Sequence, residues 1–346
     1  MNSLRPITIV GGGLAGLTLG IELRRRQVPV TIWEAGNYPR HRVCGEFISG
    51  QGLRVLDELE LSGELRRLGA TTASSVAFFG HGRKFGPTRL PTSAMSVSRY
   101  VLDHFLAGKF SQLGGELKEN SRWRGSFEEG VVRANGRRPC GPIHGLRLLG
   151  IKAHARSVVL GADLEMHLAR DGYVGLCRLD DSEVNVCGIF RSKNTVPDLR
   201  QHWQDWLRGS GSLQERLRGA VFDESSFCSV AGFSLEPQRA APLAEVSLGD
   251  ALTMIPPITG NGMSMAFESA ALAVRDLEAY SLGQIRWEKV RINIARQCDQ
   301  HFRRRLFWAR ILQRALLHAA PARCLMSVLE KFPDLWPGLF RKTREA

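Results

Sequence analysis

Ile7-Thr8-Ile9-Val10-Gly11-Gly12-Gly13-Leu14-Ala15-Gly16, followed by Val28 to Glu34, decides the fold. The first four residues are apolar or β-branched and read as a strand. Gly11-x-Gly13-x-x-Gly16 reads as a tight turn opening a helix, and Val28 onward as a second strand with an acid at its end. This is the dinucleotide-binding fingerprint in its full strand–turn–helix–strand context. Gly11 permits the turn, Gly13 lets a pyrophosphate approach the backbone, and Gly16 lets helix and strand pack. Leu14 and Ala15 begin the helix, whose first N–H groups face the phosphates. Glu34 is placed to accept hydrogen bonds from ribose hydroxyls, and its charge opposes a 2′-phosphate there.

The 346 residues suffice for a large core and about two domains. Hydrophobic content of 43% and charged content of 23% are those of an ordinary globular protein. No apolar run approaches the roughly 18 residues a membrane span needs. Arg5 and the apolar residues after it imitate a signal peptide. The glycines of that stretch belong to the fingerprint, however, and Arg24-Arg25-Arg26 stands where small cleavage-site residues would be expected. The seven cysteines, Cys44, Cys140, Cys177, Cys187, Cys228, Cys298 and Cys324, are odd in number and scattered without a C-x-x-C pair. That pattern opposes a zinc site or disulfide framework and suits a reducing cytoplasm. Net charge is +13, and Arg286 to Ala346 holds 14 Arg or Lys against 5 Asp or Glu. Most of the excess therefore lies in the C-terminal tail, where it suits an acidic partner protein, an anionic membrane surface or nucleic acid. No nucleic-acid module or run of stacking aromatics accompanies it, which makes nucleic acid the weakest of the three.

Along the chain, Gly52 to Leu68 reads as one helix, Ser74 to Phe79 as a strand, and Ser98 to Leu113 as a helix with Ser98 as N-cap. Ala162 to Leu168, Tyr173 to Cys177 and Val184 to Phe190 are short strands separated by Arg170-Asp171-Gly172 and Asp180-Asp181-Ser182, two successive antiparallel hairpins. Phe302 to Leu317 reads as an amphipathic helix with Arg303, Arg310 and Arg314 on one side and Trp308, Ile311, Leu312, Ala315 and Leu316 docked on the core.

A second glycine-containing segment is Gly249-Asp250-Ala251 and Pro256-Pro257-Ile258-Thr259-Gly260-Asn261-Gly262-Met263. It follows a short β-prone stretch, Val246 to Leu248, and precedes a long helix expected over Met263 to Leu282. Gly260 and Gly262 allow close backbone approach to a ligand, and the helix start again offers free N–H groups.

With both segments in hand, the chain resembles the FAD-dependent oxidoreductases that include the group A flavin monooxygenases, flavin halogenases and geranylgeranyl reductases. The resemblance implies a Rossmann-like α/β FAD-binding domain over 1–73, 95–147 and 240–282. It also implies an inserted antiparallel β-sheet substrate domain over 74–94 and 148–239, and C-terminal helices over 283–346. Asp250, beside Gly249, would bond the ribityl or pyrophosphate region, and the helix beginning near Met263 would point its positive end at the flavin. Arg99, with Ser98 and Asp103, would reach the phosphates. Arg42-Val43-Cys44-Gly45-Glu46 resembles the Cys-Gly loop beside the isoalloxazine, with Cys44 open to three readings: flavin-facing, chemically active or structural. Two departures stand out. Val131 to Gly136 has Asn135 where the families carry Asp, and the halogenases' Trp-x-Trp-x-x-Pro signature is absent.

No catalytic residue or metal site can be assigned from the sequence. Lys152, His154 and His167 sit in strands and read as satisfied structural residues, and Glu165 and His167 share a face. The expected activity is FAD-dependent, oxygen-using monooxygenation of a small apolar molecule such as a polyketide or aromatic, with NAD(P)H as a transient electron donor. The alternatives are C=C reduction of isoprenoid lipids and, in another class, a basic nucleic-acid-binding protein. A substrate carried on an acidic carrier protein also fits the basic tail.

Overall fold

The fingerprint folds as its residues dictate in the computed structural model, which describes residues 4–142, 145–169, 171–193, 196, 198–208 and 211–344. β1 (Ile7–Val10), α1 (Leu14–Arg25) and β2 (Val30–Trp33) form a parallel strand–helix–strand unit, with Ile7 beside Val30 and Val10 beside Trp33. β6 (Glu116–Lys118), β7 (Val131–Arg133) and β13 (Val246–Ser247) complete a five-stranded parallel sheet in the order β13-β7-β1-β2-β6. Strands this short hold because both faces are covered. Ile7, Ile9 and Ile32 are fully buried, and α1 is buried on nearly every side, between the sheet and the helices α4 (Arg99–Gln112) and α7 (Gly262–Ser281). Gly20 makes that packing possible: a Cβ there would stand 2.8 Å from both Ile32 and Phe110.

The second sheet has eight strands in the order β12-β8-β11-β10-β9-β4-β5-β3. These are β3 (Phe47–Ile48), β4 (Thr71–Gly80), β5 (Arg83–Ser96), β8 (Arg147–Arg156), β9 (Leu164–Ala169), β10 (Gly172–Arg178), β11 (Glu183–Ser192) and β12 (Val221–Ala231). The two expected hairpins are present as β9-β10-β11; Arg170 of the first turn lies outside the described residues. All pairings but one are antiparallel. β4 runs parallel to β9, so the sheet is mixed at the seam where its early and late segments meet. α5 (Leu199–Arg208) and α6 (Gly211–Leu217) cover its outer face through Trp203, Leu207 and Leu213.

Three helical expectations change. Gly52–Leu68 is two helices, α2 (Gln51–Glu58) and α3 (Ser62–Arg67), because Glu60 takes a positive φ of 57° while Leu59 and Leu61 turn into the core. Phe302–Leu317 is the second half of a 30-residue helix, α8 (Trp287–Leu316). Its buried line is Phe302, Arg305, Leu306, Ala309 and Leu316, and Ile311 is exposed rather than docked. The reason is Arg305. Its guanidinium is fully buried and grips Glu268 of α7 with two hydrogen bonds, 2.7 and 2.9 Å, which rotates the helix away from the apolar solution. α9 (Ala319–Lys331) and α10 (Leu335–Lys342) fold back over β5, where Trp336 donates to the Arg89 carbonyl. Among the described residues no helix is long and apolar enough to cross a membrane.

Candidate functional site

Two turns meet at the carboxyl edge of the parallel sheet. In the first, Gly11 has φ +111° and lies against the Ala134–Asn135 backbone, and a Cβ on Gly16 would strike the Gly11 carbonyl. Both must be glycine for α1 to sit so close to β1. Gly13 differs: a Cβ there would meet nothing, so its backbone faces open space. α1 starts without a side-chain cap and without an acid in its first turn, which leaves its positive end for an anion. Glu34, at the end of β2, accepts from the Gly12 N–H (2.8 Å) and Gly36 N–H (2.9 Å) and pairs with Arg40 at 2.8 Å. Burial pushes its pKa up, but Arg40 and the two N–H groups outweigh that and hold it below the usual carboxylate value. Tyr38 closes this corner by donating to the Gly12 carbonyl.

The second turn comes from the far end of the chain, around Gly249, and lies against the first. Gly249 has φ +58°, and a Cβ there would stand 3.1 Å from the Ala15 methyl. Gly260 caps a short 3₁₀ turn in the left-handed region, and Gly262 opens α7, which also lacks a side-chain cap and a first-turn acid. Asp250 is reached by solvent, but the atoms crowding its carboxyl raise its pKa, partly offset by Arg99 and Arg137. Asn135, the departure from the resembled motif, lies two residues after β7 and supplies backbone against Gly11.

The loop 42–46 and the start of α4 stand between these turns and the large sheet. Arg99 is held by a bidentate pair to Asp103 on its own helix, 2.6 and 2.7 Å. Burial opposes its charge, Asp103 outweighs that, and the guanidinium stays firmly protonated. Arg42 carries a lowered pKa, from burial first and then from Arg40 and Arg99. These three arginines concentrate positive charge beside the first glycine turn. Cys44 lies within electrostatic reach of Arg99, though burial keeps its thiol above its ordinary pKa. Gly45 is exposed, with nothing in front of a built Cβ. The residues expected at the cofactor (Gly11, Gly13, Leu14, Ala15, Gly16, Glu34, Arg42, Cys44, Gly45, Arg99, Gly249, Asp250, Gly260, Gly262, Met263) thus fall on five segments: 11–16, the end of β2, 42–45, the start of α4, and 249–263.

Directly behind that loop is a cluster that sequence reading missed. Glu46 is fully buried at φ +57°. It pairs with His154 Nε2 at 2.7 Å and Lys152 Nζ at 3.4 Å, and accepts from the Arg99 N–H at 2.8 Å. Lys152, also fully buried, reaches His41 Nδ1 at 3.0 Å, and His154 Nδ1 reaches Glu183 at 3.2 Å. Asn185 donates to the Cys44 carbonyl. Burial disfavours the Glu46 carboxylate, but His154 and Lys152 more than compensate, and its pKa falls. Burial likewise opposes charge on His154, but Glu183 and Glu46 raise it. Burial, helped by Lys152 and His154, drives His41 down to about 4. The row runs from half-exposed His41 through the interior to Glu183. Lys152 and His154 are therefore parts of a charged array rather than isolated strand residues. The available signal was their i, i+2 spacing, which sets two polar groups on one face of an otherwise apolar strand.

Glu165 and His167 do share a face, 3.1 Å apart, but they clamp α6 to β9 through Arg216 and Ser212. A solvent-open cavity of about 490 Å³ lies beneath α5 and α6, lined by Trp203, Leu207, Phe222 and Phe227.

The NAD(P)-binding Rossmann-like domain profile matches residues 9–53, the segment carrying the first turn. The flavin-dependent brominase Bmp2 superposes with a TM-score of 0.79 over 98% of this chain and 94% of its own, at 15% identity. The chain has the fold of the FAD-dependent halogenases and monooxygenases. In sequence it is 24% identical over 196 residues to the 1H-pyrrole-2-carbonyl-(peptidyl-carrier protein) brominase of Pseudoalteromonas luteoviolacea (strain 2ta16), covering 56% of this chain and 46% of that protein. It is 32% identical over 103 residues to the FAD-dependent monooxygenase anuJ of Penicillium roqueforti (strain FM164), 28% of this chain and 13% of that one. The chain thus matches less than half the length of either sequence relative.

Proposed function

We propose that this chain holds FAD across its two glycine turns and oxidises a small, largely apolar organic molecule with dioxygen. The observation that carries this is the packing of Gly249 on Ala15, which brings two uncapped helix starts to one open backbone surface at Gly13. Glu34 would hold the ribose, the α1 start with Arg42 the pyrophosphate, Asp250 the ribityl chain, and the α7 start the flavin edge. Bound FAD supplies two-electron chemistry and activation of dioxygen. No second nucleotide fingerprint is visible in the sequence, so electrons would come from NAD(P)H docking transiently or from a partner protein.

The chain's own contribution is position and protons. The His41–Lys152–Glu46–His154 row would move a proton between solvent and the back of the Cys44–Gly45 loop. His154 and Lys152 favour the Glu46 carboxylate, Glu183 and Glu46 favour protonated His154, and burial favours neutral His41, which accepts from Lys152. Hydroxylation is the favoured outcome, because the Trp-x-Trp-x-x-Pro signature is absent. Halogenation is the second reading, supported by a brominase match over nearly the whole chain. The relatives found lend no support to isoprenoid reduction. Carrier-bound delivery is a further option. The exposed Phe307 and Ile311 on α8, flanked by Arg303, Arg304 and Arg314, would suit an acidic carrier.

The test is the visible spectrum of the protein as purified, followed by titration with FAD. A flavin spectrum or saturable binding supports the proposal; a colourless protein that takes up no FAD ends it. Turnover with bromide present then separates the outcomes, since a brominated product carries a two-line isotope pattern and a hydroxylated one does not.

A further inference from the structure

The cavity beneath α5 and α6 opens on the face of β8 that the charged array does not use. Lys152 and His154 point to one side of that strand, so Ala153 between them points to the other, where it forms part of the cavity wall. β12 gives the space its shape. Asp223 pairs with His154 and Cys228 with Lys152, so the four residues from Glu224 to Phe227 stand against Ala153 alone. A strand bowed over one small side chain leaves room, and such bulges re-aim the side chains they carry. Phe222 and Phe227 line the cavity from β12, Trp203 and Leu207 from successive turns of α5, and Leu217 from the end of α6. Its volume of about 490 Å³ lies in the range of small-molecule sites.

The polar groups narrow the choice of ligand. Trp203 is only 4% exposed, and its indole Nε1 meets no acceptor among the described residues. A buried indole N–H without a partner is uncommon and is relieved by an acceptor. The charges around the cavity cancel. Arg200 pairs with Glu224 at 2.6 Å, and Arg218 and Asp223 add one charge of each sign. Aromatic walls, one free donor and a balanced rim favour an uncharged ring over an anion or a cation.

We infer that this cavity binds a neutral, ring-bearing carbonyl compound, with the ring among Trp203, Phe222 and Phe227 and the carbonyl oxygen accepting from the Trp203 indole N–H. The cavity shares no residue with the two glycine turns, so it stands apart from the cofactor reading.

The experiment is fluorescence titration of the purified full chain with prodan, a neutral naphthyl ketone, and with its propyl analogue, in which CH₂ replaces the carbonyl. Prodan emission should shift to the blue as the probe leaves water. Trp203→Phe keeps an aromatic wall but removes the donor. It should weaken prodan roughly three- to tenfold, the range of one neutral hydrogen bond, and leave the propyl analogue within about twofold. Gln204 is exposed on α5 at the cavity, so Gln204→Trp should obstruct it without disturbing the core and weaken both probes. FAD titration followed by absorbance should be the same in both variants. No blue shift, equal losses for the two probes in Trp203→Phe, prodan binding unmoved by Gln204→Trp, or displacement of prodan by FAD each overturns the inference. Prodan binding with these responses in a chain that takes up no FAD would overturn the cofactor reading and leave this site standing.

Discussion

The parallel-sheet edge and the inner face of the large sheet use opposite means. At the edge the backbone acts, and the decisive residues are those without side chains: Gly11, Gly16 and Gly249 for packing, Gly13 for open space. On the large sheet the side chains act. Glu46, Lys152 and His154 carry charge into the buried interior, and Glu46 and His154 are 108 positions apart. Each turn takes its shape from local geometry, and Gly11 and Gly249 then pack against distant residues. Buried charge persists only when several distant segments deliver partners together. A change at the edge should therefore remove ligand binding, whereas a change in the cluster should act first on stability and pH response.

The largest expected effect is at Gly16. Gly16→Val places a side chain in the Gly11 carbonyl, so FAD titration should show no binding and the melting temperature should fall. Retained FAD binding would mean that the turn is not the phosphate site. Next is Glu46→Ala, which strands Lys152 in the interior. It should cost about 3–5 kcal/mol in urea denaturation, and a cost below about 1 kcal/mol would show that the array is not the tight network described.

The third prediction concerns pH. Glu46 has a lowered pKa, so its stabilisation is present above the unfolded carboxylate value, about 4.3, and is lost as pH falls through its lower folded value. His154 has a raised pKa, so its share is full below the unfolded histidine value, about 6.5, and is lost as pH rises through its higher folded value. His41, held near 4, opposes folding increasingly as pH drops from about 6.5 towards 4. The urea midpoint should therefore peak near neutrality, and Glu46→Gln should flatten the profile on both sides. An unchanged profile would refute the coupling. The smallest effect is expected on α8, where Arg303→Ala and Arg314→Ala should shift stability by less than about 0.5 kcal/mol and leave FAD affinity intact.

How far the sequence could be read follows the same division. The Ile7–Gly16 turn, the second turn and the β9-β10-β11 hairpins are each written within short stretches, as strand periodicity and glycine spacing. Ser98 does cap α4, accepting from the Tyr100 N–H. The split between α2 and α3 was hidden because Leu53, Leu56, Leu59 and Leu61 suit one helix, and only the positive φ at Glu60 interrupts it. The register of α8 was hidden because hydropathy places an arginine outside, whereas Glu268 on another helix makes Arg305 an inside residue.

The sequence by itself determined the nucleotide-type α/β unit, the antiparallel hairpins and the two glycine turns, because each depends on backbone conformations that neighbouring residues impose. Tertiary structure alone decided that the turns touch and that Glu46, Lys152 and His154 form one array. Those outcomes depend on which distant segments exclude water together, and burial, rather than residue type, decides whether a charge is solvated, paired or available to a ligand.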